Sequence, residues 1–216
     1  MVKSLVIKEL RESAGILVLA ALAMVYVLAE LTATPLLPWQ SRRLYVIPFV
    51  RDSLPFYFWI VIGGLAIALG FRQTAWELGQ GTYFFLLHRP ISRNRIFMLK
   101  LLVGAVLVTL VGVMLVGLYA WWASTPGKFD GPFYWSMTVP AWQLCLSVPP
   151  LYFGAFLAGI RPGRWFGSRL LPLVAGILTA FAASNAPWAW MSAGLSLVVS
   201  GLMIAAILMY AAERDY

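Results

Sequence analysis

Apolar residues run along this chain in long unbroken stretches separated by short polar ones, without the ~10-residue apolar/polar alternation of membrane β-strands. A helix rises ~1.5 Å per residue, so ~20 apolar residues are needed to cross the hydrocarbon of a bilayer. On that measure, spans are expected at about 14–31, 54–71, 101–122, 137–160, 170–186 and 188–212. Punctuation between them agrees. Pro126-Gly127-Lys128 and Asp130-Gly131-Pro132 are turn signals, and Asn185-Ala186-Pro187 makes a tight turn between the last two runs. Within the runs, Gly63-Gly64 and Gly70 permit close helix approach, and Pro149-Pro150 should kink the fourth.

Composition strengthens this picture. Hydrophobic residues make up 62% of the 216, charged residues only 11%, and the mean hydropathy is +0.84. A soluble domain has about a quarter of its residues charged. There is too little polar surface here to cover a ball in water, and a backbone in lipid must satisfy its own hydrogen bonds. The expected fold is therefore an all-α integral membrane protein: one domain over 1–216, six transmembrane helices, and a short cytoplasmic helix between spans two and three. Before the first span lie Lys3, Lys8, Glu9, Arg11 and Glu12. Acidic residues are out of place in a signal peptide, so the first span is expected to be retained despite the passable cleavage site Ala21-Leu22-Ala23.

The net charge of +8 raises nucleic acid as a partner, but the basic residues sit at span ends rather than in one stripe. No nucleic-acid partner is expected; the lipid bilayer is. With the N-terminus inside, inner segments hold Lys3, Lys8, Arg11, Arg72, Arg89, Arg93, Arg95, Lys100, Arg161, Arg164, Arg169 and Arg214, and outer ones hold Arg42, Arg43, Arg51 and Lys128. Twelve against four follows the positive-inside rule and places both termini in the cytoplasm. Trp121, Trp122, Trp135 and Trp188 fall where an outer aromatic belt belongs. The lone Cys145 excludes an intrachain disulfide.

Several chemistries lack their residues. A Walker A loop needs G-x-x-x-x-G-K-[ST], and the only Gly-Lys pair, Gly127-Lys128, is followed by Phe129. Zinc-protease chemistry needs two His on one helix, and there is only His88. No carboxylate pair falls inside a span; Glu30 is the one acid near one, at its outer end. No catalytic, cofactor or metal residue is assigned. The span polar groups, Thr109, Gln143, Ser147, Thr179 and Ser184, suit either an apolar cargo path or ordinary helix–helix hydrogen bonding.

The segment between spans two and three carries the most information. Thr74 with Glu77 three residues on is a capping-box pattern, so a short helix is expected to begin there and end at Arg89-Pro90. Ser92 is a good N-cap for the third span. Between them, Tyr83-Phe84-Phe85-Leu86-Leu87 is an apolar cluster bracketed by charge. It fits an interfacial helix lying in the headgroups, or a knob that docks in the groove of a soluble partner.

Here Glu77, Gly81-Thr82, Leu86-Leu87, Pro90-Ile91-Ser92-Arg93 and Lys100 stand at the spacing of a family pattern, E-x-E-x-G-T-x-x-x-L-L-x-x-P-[IVL]-S-R followed by a Lys in the next helix. The segment thus resembles the cytoplasmic loop of ATP-binding-cassette transporter permeases of the type-2 family. Lys8-Glu9-Leu10-Arg11 and the six-span layout also look like that family; Gly79, where many members carry a second acid, departs from it. The resemblance implies a permease subunit of an exporter in the cell (inner) membrane. Two copies or homologues pair, and a separate ATPase subunit binds the ATP. It makes residues 1–13 an amphipathic connecting helix and 74–90 the coupling helix. Tyr83, Phe85 and Leu86 would anchor in the ATPase, Arg89 and Arg93 would pair with its acids, and Glu77 would fix the short helix. Two rival readings stay open: a membrane scaffold or assembly factor, and an intramembrane enzyme using His88.

Overall fold

The computed structural model describes residues 2–32, 34, 47–50, 52–79, 93–127, 131–164 and 167–213, and among them every regular element is helical. Helix α1 covers Val2–Leu31. Helix α2 is a continuous run of five segments, Leu54–Phe58, Trp59–Gly63, Gly64–Phe71, Arg72–Trp76 and Glu77–Gly79, of which the second and fourth are π-helical. There follow α3 (Arg93–Ser124), α4 (Val139–Ser147), α5 (Pro149–Ile160), α6 (Leu171–Ser184) and α7 (Ala189–Glu213). Five stretches are long and apolar enough to cross a membrane: Lys3–Leu31, Leu54–Trp76, Asn94–Ser124, Trp135–Ile160 and Ala189–Ala212. The fifth expected span is a shorter apolar helix, Ser168–Ser184, confined between Arg169 and the Asn185-Ala186-Pro187 turn.

Helix α5 is the axis of the bundle. Every residue from Pro150 to Ile160 is buried, as a helix apolar on all sides must be. It packs most heavily on α6, α2 and α7, while α1 lies against α3 and α2. Pro149 and Pro150 supply no N–H, so the helix is interrupted at Val148 and resumes where the Leu151 N–H donates to the Val148 carbonyl at 2.9 Å. At its other end α5 is capped by a cation. Arg169 donates to the Ala158 and Gly159 carbonyls at 3.1 and 2.9 Å, which otherwise lack intrahelical partners.

Glycines set the closest crossings. A Cβ on Gly70 would lie 2.7 Å from the Ala155 Cβ and 2.9 Å from the Phe156 nitrogen, so α2 and α5 touch nearly backbone to backbone there. The outer faces are apolar instead of polar: Leu22, Leu102, Leu178, Leu197 and Leu202 are all exposed. Water disfavours such a surface and hydrocarbon accepts it, which marks this as a membrane protein. Trp121, Trp135 and Trp188 are exposed at helix ends joined by short connections, where an interfacial belt would be, whereas Trp122 turns inward to stack on Tyr119 at 5.9 Å. Gly127, in the expected turn, has φ +80°, a conformation that favours glycine.

Two expectations need correction. Residues 1–13 are not a separate connecting helix: α1 continues through Ser13 and Ala14 without a break, because nothing in Val2–Leu31 is a helix breaker apart from Gly15. Thr74 does not begin a new helix. Its hydroxyl donates to the Gly70 carbonyl at 2.6 Å, four residues back, and α2 runs on to Gly79. The third helix, by contrast, starts at Arg93, directly after the Ser92 signal, and Lys100 lies inside it as expected.

The helix crossing gives a direct test. Gly70→Ala should destabilise the protein by about 1–3 kcal/mol, as overpacking against a fixed backbone does. Gly117→Ala, where a Cβ meets nothing within 4 Å, should be neutral or slightly stabilising. Thermal unfolding in detergent micelles distinguishes the two.

Candidate functional site

The buried faces of three helices carry charge at one end of the bundle. On α2 the buried residues Leu65, Leu69, Gln73 and Glu77 recur every four positions. An α-helix advances about 100° per residue, so each such step drifts about 40° round the axis. The wider π-helical turn at Arg72–Trp76 absorbs part of that drift and keeps Gln73, Thr74 and Glu77 facing inward. On α1, Leu5, Glu9 and Ser13 form the matching buried row. On α3, Phe97, Lys100 and Leu101 turn inward together.

These rows meet at Lys100, whose relative exposure is 0%, against 1% each for Glu9 and Glu77. Lys100 Nζ donates to Glu77 Oε2 at 2.5 Å and to the Gln73 carbonyl at 3.5 Å. Glu9 Oε1 lies 2.9 Å away, an ion-pair contact rather than an aligned hydrogen bond. An ammonium has three donors, and here three acceptors surround it. Gln73 links the groups: its Nε2 donates to Glu9 Oε2 at 3.3 Å and to the Lys100 carbonyl at 3.4 Å. Its Oε1 accepts from the Tyr152 hydroxyl of α5 at 2.6 Å. The Tyr152 hydroxyl reaches this point because residue 104 is glycine; a Cβ there would collide with the phenol ring and sit 2.7 Å from Gln73 Oε1.

From this centre a chain of charges leads outward. Lys8 Nζ bonds Glu77 Oε1 at 3.1 Å and lies 3.5 Å from Glu12, and Glu12 lies 3.9 Å from Arg72 Nη2. Three acids (Glu9, Glu12, Glu77) thus balance three bases (Lys8, Arg72, Lys100). The neutral sum makes the burial tolerable, since an unpaired buried ion costs several kcal/mol. Chemically the cluster is a clasp. It joins α1, the last turns of α2, the first turns of α3 and, through Tyr152, α5.

Of the residues singled out in the sequence, Glu77 and Lys100 come together, and Glu77 binds two lysines rather than capping a helix. Arg93 opens α3. Gly81, Thr82, Tyr83, Phe85, Leu86, Arg89, Pro90 and Ser92, with His88, lie outside the described residues. Three of the polar groups expected in the spans bind carbonyls: Gln143 that of Ala186 at 3.0 Å, Ser147 that of Leu144 at 2.7 Å and Ser184 that of Phe181 at 2.9 Å. Sequence reasoning missed the carboxylate pair, because Glu9 and Glu77 flank spans instead of lying within them. It also missed Gln73, Tyr152 and the buried row Ser192, Ser196 and Ser200 on α7. The four-residue spacing of both rows was the available signal.

Removing the shared cation is the sharpest perturbation. Lys100→Met leaves Glu9 and Glu77 buried without their counter-charge and should cost about 3–5 kcal/mol. The triple change Lys100→Met, Glu9→Gln, Glu77→Gln should recover most of it, because no bare charge remains. Unfolding temperatures of the two variants in detergent provide the check.

No protein-family profile, curated protein or solved structure matches this chain.

Proposed function

We propose that this chain is the membrane-spanning permease subunit of an ATP-binding-cassette exporter, driven by a separate cytoplasmic ATPase subunit. The observation that carries the reading is the buried clasp centred on Lys100. The segment 74–90, the coupling element by resemblance, begins on the last turns of α2 with Thr74 and Glu77 and precedes α3, which starts at Arg93, seven residues before Lys100. A push on that segment therefore acts on two helices locked to each other and to α1. Packed helices respond to such a push by shifting or tilting as units.

ATP is bound and hydrolysed by the partner, and this chain needs no cofactor of its own. Tyr83, Phe85 and Leu86 are the apolar anchors in the ATPase groove, and Arg89 and Arg93 pair with its acids. Gly81-Thr82 and Pro90-Ile91-Ser92 belong to the same motif, which supports the assignment through its spacing. A second copy or a homologue completes the assembly in the cell (inner) membrane. Both termini are then cytoplasmic, with Ser168–Ser184 making the sixth crossing; a shorter helix is accommodated by local thinning of the bilayer. The mostly apolar spans favour a hydrophobic or amphipathic cargo.

Tagged protein purified from its native membrane should bring down a soluble ATPase. Leu86→Asp and Phe85→Asp should each abolish that capture while leaving the protein folded in the membrane. Full retention of the ATPase by both variants rejects the docking assignment and leaves the scaffold reading in its place.

A further inference from the structure

Beside the clasp, α1 and α2 part to leave a groove of about 720 Å³, within the ~300–1,000 Å³ typical of small-molecule sites. Its floor is made by small side chains. Gly15 on α1 and Ala68 and Ala75 on α2 hold the helices' surfaces back, and a Cβ on Gly15 would meet nothing within 4 Å. Ile16, Leu19 and Phe71 make the walls apolar. The groove opens sideways, toward the lipid-facing side of the bundle, where Leu19 and Trp76 are 68% and 59% exposed.

One end of this apolar channel is charged. Arg72 lines it together with Glu12 and Trp76. The guanidinium is stacked on the Trp76 ring, with Cζ 5.6 Å from the ring centre, and its Nη1 is buried with no hydrogen-bond partner. The nearest carboxylate, Glu12, is 3.9 Å from Nη2, beyond hydrogen-bond reach, and is shared with Lys8. A buried donor without an acceptor costs free energy, and a guanidinium presents a fork that matches phosphate oxygens. An apolar helix from a second copy would fill the channel but bring no acceptor to the guanidinium at its charged end. A hydrocarbon tail ending in a phosphate suits both halves of the site: the tail fills the apolar channel and the phosphate meets the part of the Arg72 side chain that lines it.

We propose that the α1–α2 groove binds one anionic phospholipid, its acyl chain along Gly15, Ile16, Leu19 and Phe71 and its headgroup phosphate on Arg72 beside Trp76. A basic residue and an aromatic belt residue at the end of an apolar cleft are the features by which membrane proteins hold acidic lipids. The site does not depend on the permease reading. Zwitterionic lipid is disfavoured because its own ammonium opposes Arg72.

Native mass spectrometry of the full chain released from dodecyl maltoside micelles tests this, with dioleoyl phosphatidylglycerol and dioleoyl phosphatidylcholine added in separate titrations. One phosphatidylglycerol should be retained, with about a fivefold preference over phosphatidylcholine. Arg72→Gln should erase the preference and Arg72→Lys should keep part of it. Gly15→Leu, which fills the open channel without touching the charge, should reduce occupancy by both lipids. Equal retention of the two lipids by the unaltered chain overturns the proposal, as does a preference that survives Gly15→Leu and Arg72→Gln alike. Light scattering adds a further arm: if Gly15→Leu splits a dimer and leaves lipid retention unchanged, the groove is a contact between copies and the lipid assignment fails. Should Arg72→Gln not fold, the Gly15→Leu result alone decides.

Discussion

A primary ammonium withdrawn from water needs three acceptors and a compensating charge nearby. Lys100, fully buried on α3, has the Glu77 carboxylate, the Glu9 carboxylate and the Gln73 carbonyl. Those groups sit on α1 and α2, at positions 64 and 68 residues apart in the chain, since 73 less 9 is 64 and 77 less 9 is 68. Three helices are therefore bound to converge at one end of the bundle. Elsewhere most contacts between helices are apolar, non-directional and tolerant of sliding. Here the contacts are directional and fix register. Much else follows from this: the π-helical turn that keeps Gln73 and Glu77 inward, the missing side chain at Gly104 that admits Tyr152, and the charge chain through Lys8 and Glu12 to the surface.

How much of this could be read from the sequence depended on whether the signal was local. Long apolar runs, Pro149-Pro150 and the Pro126-Gly127 turn are local, and the helices, the interruption at Val148 and the left-handed glycine appear where those residues place them. Helix ends were less legible. Polar residues at 2–13 and 72–79 read as loops or separate elements, yet they belong to helices that continue past the apolar stretch, because tertiary partners neutralise their charges. The capping-box pattern of Thr74 and Glu77 was outcompeted in the same way. Two lysines offer a buried carboxylate more than one backbone N–H does, and the Thr74 hydroxyl is satisfied by its own helix. The pairing of Glu9 with Glu77 around Lys100 has no local signature and emerges only when the helices are packed.

The clasp and the lipid groove share a border, with Glu12 and Arg72 belonging to both. Occupation of the groove by an acidic headgroup would draw on Arg72, and so on the outermost link of the charge chain that ends at Lys100. In the permease reading this places lipid contact, partner docking and helix coupling at the same end of the molecule, where a small change in charge balance acts on several helices at once. The rest of the bundle, built round the buried α5, supplies a rigid frame against which such a shift is felt.

Hydrogen exchange on the Lys100→Met protein, read segment by segment at a temperature where it and the unaltered chain are both folded, tests the clasp most directly. If the shared cation binds the three helices, amides of residues 5–13 on α1 and 72–79 on α2 lose protection together while those of 150–160 keep theirs. Unchanged protection in both segments, or loss confined to α3 around position 100, would contradict it.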